Sequence, residues 1–300
     1  MNQMLLALIV VSNLVVIFTR AEASGNRVKE VLDTENSILE AEISTTPDFS
    51  SESILAFDHV DFRYTPDSGL SLQGITFQLK RNTVLGIIGP TGSGKTTLTQ
   101  LIPRFYDVNE GVILIGGTDI RQLSLSQLRG RIGMVPQHAV LFSGTLEENM
   151  KWRSENATRE DISKALEISQ SSEFVSRMPD GLETQILQGG KNLSGGQRQR
   201  LTIARALVGQ PDILILDDSA SALDFATDAH LRAALKENGA DKTIFLVSQR
   251  VNTVRGADCI VVLDDGKIVG TGTHRELMKN CEIYREICLS QLSEEEALSE

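Results

Sequence analysis

The sequence predicts an α/β fold built on a largely parallel sheet covered on both faces, preceded by one apolar helix. Three observations carry that prediction. Short apolar runs, "TVLGIIG", "RIGMVPQ", "DILILDD" and "KTIFLVSQ", recur with helical stretches between them, the pattern of parallel strands buried on both sides. A glycine-rich stretch, "GPTGSGKT", stands directly between one of these runs and a helix-forming segment. The residues from Met4 to Phe18 are apolar apart from Ser12 and Asn13.

Composition narrows the reading. A chain of 300 residues, 41% hydrophobic, has enough apolar surface for one full core but not for two large ones, so one main domain is expected. The net charge of -11 lacks the basic footprint that phosphate-wrapping proteins need, which excludes nucleic acid as the partner. The three cysteines, Cys259, Cys281 and Cys288, form no C-x-x-C pair. That pattern supports neither a disulfide framework nor a zinc site and fits a reducing compartment.

The elements follow in order. The run from Met4 to Phe18 is somewhat shorter than the roughly 20 residues of a full span. No Lys or Arg precedes it, which argues against a secretory leader even though "AEA" at Ala21 to Ala23 has the form of a cleavage site. A membrane helix is therefore expected, and Val28, Val31 and Leu32 at helical spacing among charges predict its continuation into water. Residues 1–33 are assigned to this helix and its extension. Residues 34–53, rich in Ser, Thr and Glu and containing Pro47, read as a linker. The globular domain is placed at 54–292. "HVDFRY" alternates Val60, Phe62 and Tyr64 on one face of a strand, and "ITFQLK" and "VILIGG" read as further short strands at a sheet margin. The final "SEEEALSE", 293–300, reads as a solvated acidic tail. No internal repeat is present.

Gly89 to Thr96 match the phosphate-binding loop pattern, with a strand before and a helix after. Glycines at 89, 92 and 94 let successive backbone N–H groups face one concavity, and the helix start adds its positive dipole end. Lys95 can reach the outer phosphates, and the Thr96 hydroxyl can join magnesium. Asp217, ending the apolar strand "ILILD", is the carboxylate such a site needs as magnesium or water partner. Tyr64 by itself reads as packing. The four histidines read as structural or exposed: His59 on the first strand, His138 in a loop, His230 on a helix, and His274 within a Thr273–Glu276 capping box.

The segment "NLSGGQRQRLTIARAL" decides the class. Leu193 to Gln197 open an amphipathic helix carrying Leu201, Ala204 and Leu207. Lying between the phosphate loop and the strand at Ile213, it resembles the signature sequence of ATP-binding cassette (ABC) proteins. With Gln137 ending "RIGMVPQ", "SALD" at Ser221 to Asp224 and Tyr64 ahead of the loop, the resemblance covers Ile54 to about Leu292. The N-terminal helix, with "ASGNRVKEVLD", looks like the end of the last transmembrane helix of an exporter half of the multidrug or lipid type.

The resemblance implies a P-loop ATPase with a mostly parallel core sheet, an antiparallel β subdomain, and a helical subdomain at about 139–191 that contacts membrane helices. It implies ATP and Mg2+ as cofactors, a cell-membrane location with the nucleotide domain in the cytoplasm, and a second half-transporter as partner. Tyr64 would stack on adenine, Gly89, Pro90, Thr91, Gly92, Ser93, Gly94, Lys95 and Thr96 would hold the phosphates, and Gln137 would touch magnesium beside Thr96 and Asp217. Two such domains meet head to tail, so Ser194, Gly195, Gly196 and Gln197 would face the ATP on the partner's loop.

Two positions depart from the family pattern. The residue after the magnesium aspartate, normally a glutamate that polarises the attacking water, is Asp218, one methylene shorter. A histidine normally near the terminal phosphate is replaced by Gln249, which donates a hydrogen bond but carries no proton at neutral pH. The expected consequence is a site that holds ATP and hydrolyses it slowly, within a heterodimer whose other loop is completed by this chain's "LSGGQ". The alternative is a homodimer that tolerates both substitutions, or a regulatory clamp with little hydrolysis of its own.

Overall fold

Asn2–Leu32 form one continuous helix, α1, with no buried residue. It is long and apolar enough to cross a membrane, and at about 1.5 Å per residue it exceeds the hydrocarbon thickness of a bilayer. The hydroxyl of Thr19 donates back to the carbonyls of Val15 and Val16, so a polar group beside the apolar stretch is satisfied within the helix. The expected membrane segment and its amphipathic extension are thus a single element. The computed structural model describes residues 1–34, 36, 38–40, 45, 47–48, 51–219, 222–238 and 241–298. Much of the expected linker, and Ser221 of "SALD", lie outside the described residues. Contacts divide the chain into Met1–Leu39 and Glu40–Glu300.

The second unit holds two main sheets. One is antiparallel, in the order β2-β1-β4-β5, from β1 (Ser53–Phe62), β2 (Leu72–Lys80), β4 (Glu110–Ile115) and β5 (Thr118–Asp119). Phe57 pairs with Phe77 across β1 and β2, and a bulge at His59, with φ of 49°, shifts the register before Val60. These strands build a sheet of their own, the antiparallel β subdomain that the resemblance implies. The six-stranded sheet runs β12-β11-β3-β10-β9-β6. Its parallel strands are β3 (Val84–Ile88), β6 (Ile132–Val135), β9 (Ile213–Asp217), β10 (Thr243–Val247) and β11 (Cys259–Asp264), with β12 (Lys267–Gly272) antiparallel at the edge. A two-stranded ribbon pairs β7 (Gly144–Thr145) with β8 (Gln185–Ile186).

The apolar runs are buried on both sides for a simple reason of periodicity. Ile213 and Ile215 of β9, with Phe245 and Val247 of β10, join a core shared with the antiparallel sheet. Leu214, Leu216, Ile244 and Leu246, on the other face, join a second core with the helices. The helices are α2 (Lys95–Leu101), α3 (Leu125–Gly130), α4 (Leu146–Lys151), α5 (Arg159–Ile168), α6 (Ser172–Ser176) and α7 (Gly195–Leu207). After them come α8 (Phe225–Asn238), α9 (Val251–Val254), α10 (His274–Asn280), α11 (Glu282–Gln291) and α12 (Glu294–Leu298).

The expected Thr273–Glu276 capping box starts α10. The C-terminal segment differs from its expected solvated state. Ser293 and Glu296 exchange cap bonds, Ala297 is fully buried, and its carbonyl lies 3.1 Å from His274 Nε2. Charge count alone marks this segment as polar, whereas one small residue on its inner side docks it.

Candidate nucleotide site

The carboxyl ends of β3, β9 and β10 lie side by side, where open α/β sheets place their ligand crevices. The loop after β3 is shaped by its glycines. Gly92 and Gly94 hold φ of 84° and 97°, and a Cβ on Gly89 would stand 2.0 Å from the Leu263 carbonyl oxygen. Lys95 opens α2 with its ammonium group turned back into the loop, donating to the carbonyls of Gly89 at 2.8 Å and Pro90 at 2.7 Å. Burial lowers its pKa, opposed by the nearby carboxylates of Asp218 and Asp217.

Across the crevice Asp217 ends β9, buried, with Thr96 Oγ1 and Thr99 Oγ1 each 3.5 Å from its carboxylate. Burial raises its pKa, partly offset by those hydroxyls. Asp218 takes φ of 45°, a left-handed conformation that turns its side chain out of the strand direction into the crevice. Its oxygens receive Ser248 Oγ at 3.4 Å and Gln137 Nε2 at 3.5 Å, and burial raises this carboxyl too. Gln249, just past β10, accepts from the Thr91 hydroxyl at 3.4 Å.

These parts enclose a cavity of about 390 Å³ lined by Thr91, Gly92, Gly94, Lys95, Thr96, Gln137, Asp217, Asp218 and Gln249. Ser71, Asp265 and Gly266, which belong to none of the motifs above, form its other wall. The "LDDG" turn at 263–266 between two apolar runs is a hairpin signal that announces β11 and β12 and hence that wall. The donors of Thr96, Asp217 and Gln137 are hydroxyl, carboxylate and amide oxygen, a hard set that fits magnesium. The open space where a Gly92 Cβ would stand leaves room for a phosphate against the loop backbone.

Other expected site residues lie elsewhere. Pro90 and Ser93 belong to the loop without lining the cavity, and buried Ser93 stands 3.4 Å from Lys95 Nζ. Tyr64 lies two residues past the end of β1 and not on the strand. Its ring stands edge-on to Phe62 and Tyr106, its hydroxyl is 3.0 Å from Thr97 Oγ1, and it is 46% exposed. It is thus a half-open aromatic beside α2. Ser194, Gly195, Gly196 and Gln197 do not line the cavity. Ser194 caps α7 in a capping box with Gln197, and Leu201, Ala204 and Leu207 are buried on one face as their spacing predicts. Asp224 of "SALD" accepts from the Thr227 amide at 2.9 Å at the start of α8.

A family profile described as ABC transporter matches residues 72–221. The chain is 43% identical over 282 residues to an uncharacterized ABC transporter ATP-binding protein, YfiB, of Bacillus subtilis (strain 168), covering 94% of this chain and 48% of that protein. It is 38% identical over 286 residues to a probable multidrug resistance ABC transporter ATP-binding/permease protein, YheI, of the same organism, covering 95% of this chain and 48% of that protein. Among solved structures, a bacterial Atm1-family ABC exporter with ATP bound is similar with a TM-score of 0.85 at 31% identity, over 92% of this chain and 48% of that one. The chain spans about half the length of each of these relatives.

Proposed function

The chain belongs to the ABC transporter family, and from that premise we propose that it is the ATP-binding part of a membrane exporter that holds ATP-Mg2+ in the crevice at Gly89–Thr96. In this reading the loop backbone and Lys95 take the phosphates, Tyr64 takes the adenine, and Thr96, Asp217 and Gln137 hold the cation. Magnesium would supply charge neutralisation on the phosphate oxygens. Lys95 now bonds its own loop's carbonyls, so binding exchanges those bonds for charge-assisted ones to phosphate. Residues 1–33 serve as membrane helix and extension, 54–292 as the nucleotide domain and 139–191 as its helical subdomain.

The chain's own site hydrolyses slowly, and its "LSGGQ" completes a second, faster site on the loop of an unlike partner. One observation carries this reading: Asp218 and Gln249 both reach the phosphate cavity, while the Ser194–Gln197 cap of α7 is intact. A positioned general base is worth about 10² to 10⁴ in rate, or about 3 to 5 kcal/mol. Shortening the carboxylate and removing the proton-bearing ring act on this step and leave the phosphate contacts in place. ATP turnover by the isolated chain and by its mixture with a partner half-transporter tests the reading. Slow turnover alone and fast turnover together are expected; full-speed turnover by the isolated chain overturns it.

A further inference from the structure

Helix α9 begins at Val251, directly after the segment that carries Gln249 into the cavity. Its N-cap is Arg250, which makes no side-chain cap bond. Val251 is fully buried, so its amide, one of the first-turn donors, needs a partner from outside the helix. Gln291, the last residue of α11, provides it. Val251 N–H donates to Gln291 Oε1 at 3.0 Å, and Gln291 Nε2 donates to the Gln249 carbonyl at 2.7 Å. One backbone group is a donor and the other an acceptor, so the bridging amide has a single consistent orientation.

The helix supplying this bridge is itself anchored. Cys288 and Tyr284, one and two turns before Gln291 on the same face, are fully buried, and the Tyr284 hydroxyl lies 2.8 Å from His274 Nδ1. On the cavity side, Gln249 meets Thr91, and Ser248 Oγ donates to Asp218 while accepting the Arg250 amide at 3.1 Å. Residues 248–251 therefore lie between the phosphate cavity and a fixed helix, bonded to that helix through the Gln291 amide.

We propose that Gln291 is a positioning residue for the hydrolytic site. By bridging Gln249 and Val251 it sets the place of residues 248–251, and through them the Gln249 amide over the phosphates and the Ser248 hydroxyl on Asp218. The inference rests on reading the cavity as the ATP site. Glutamine suits the task because it offers both a donor and an acceptor at this length. Glutamate would set a carboxylate against the Gln249 carbonyl, and methionine keeps the length while losing both bonds.

The test substitutes Gln291→Met in the full chain; the residue is exposed, so no core contact is removed. Deuterium uptake over residues 248–254 is expected to quicken about tenfold, as for the loss of one to two net hydrogen bonds, with uptake elsewhere unchanged. MgATP affinity, read with a fluorescent ATP analogue, is expected to stay within about twofold. In a chain carrying Asp218→Glu with Gln249→His, Gln291→Met is expected to lower kcat about tenfold with KM unchanged, and to lower it several-fold less when Gln249→Ala replaces Gln249→His, since only the Ser248 contact then remains to be disturbed. Unchanged uptake over 248–254, the same kcat loss beside Gln249→Ala, or faster uptake across the whole domain overturns the proposal. Failure of the unsubstituted chain to bind MgATP, or of the Asp218→Glu chain to gain turnover, overturns the functional reading instead, and the uptake measurement still decides the role of Gln291.

Discussion

Two adjacent carboxylates at the tip of β9 line the cavity and carry part of the instability of this fold. Asp217 and Asp218 are both held above the ordinary carboxylate range, chiefly by burial. A carboxyl raised in the folded state binds its proton more tightly there than in the unfolded chain. Between the unfolded value near 4 and the raised one, stability therefore falls as pH rises, and the cost is absent below that window. Asp217→Asn is accordingly expected to stabilise the nucleotide-free chain by about 1 kcal/mol at pH 7, or a few degrees in Tm. Calorimetry at descending pH should show this gain shrinking as the native carboxyl takes up its proton. The same variant should lose at least about tenfold in magnesium-dependent ATP affinity, because the amide cannot replace the anionic oxygen. A variant neither more stable nor weaker in binding would show that Asp217 takes no part in holding the cation. Asp218→Glu with Gln249→His is expected to raise the chain's own turnover at least about tenfold with little change in affinity, read as phosphate release. Residue identity makes both aspartates visible in the sequence; their raised pKa values arise only when strands distant in sequence bury them together.

At the scale of elements, capping residues and strand ends do the positioning. Ser194 closes a capping box on α7, so Ser194→Ala is expected to cost about 1 kcal/mol in thermal or denaturant unfolding. Because the same turn would face the partner's ATP, that variant should also slow turnover of the mixed subunits beyond what its stability loss explains. Gly89→Ala drives a methyl group into the Leu263 carbonyl and is expected to abolish ATP binding, measured by analogue fluorescence, while the rest of the domain stays folded. Helix α7 and the strand–loop–helix at 84–101 were legible because their hydrophobic spacing and turn residues are local. Spacing alone assigns Tyr64 to the strand because alternation extends one step past the point where pairing stops at Phe62. The hairpin of β11 and β12 went unmarked although its turn signal was present, and with it one wall of the cavity.

For the whole molecule, α1 and the Glu40–Glu300 unit differ in what they need from solvent. No residue of α1 is buried, so its exposed apolar surface is expected to need lipid. The chain is expected to sediment with membranes and to resist carbonate extraction, whereas a chain begun at Glu40 should remain in the supernatant and still bind an ATP analogue. Recovery of the full chain in the supernatant would remove the membrane from the functional reading.

By itself the sequence determined the α/β class, the apolar N-terminal helix, the phosphate loop and the two substitutions beside it, since each is written in neighbouring residues or in a short period. Only the tertiary structure decided that Ala297 docks an otherwise acidic tail and that Gln291 reaches back to Gln249. Those outcomes depend on contacts between residues far apart in the chain, and no local pattern of charge or hydrophobicity encodes which distant backbone group a side chain will meet.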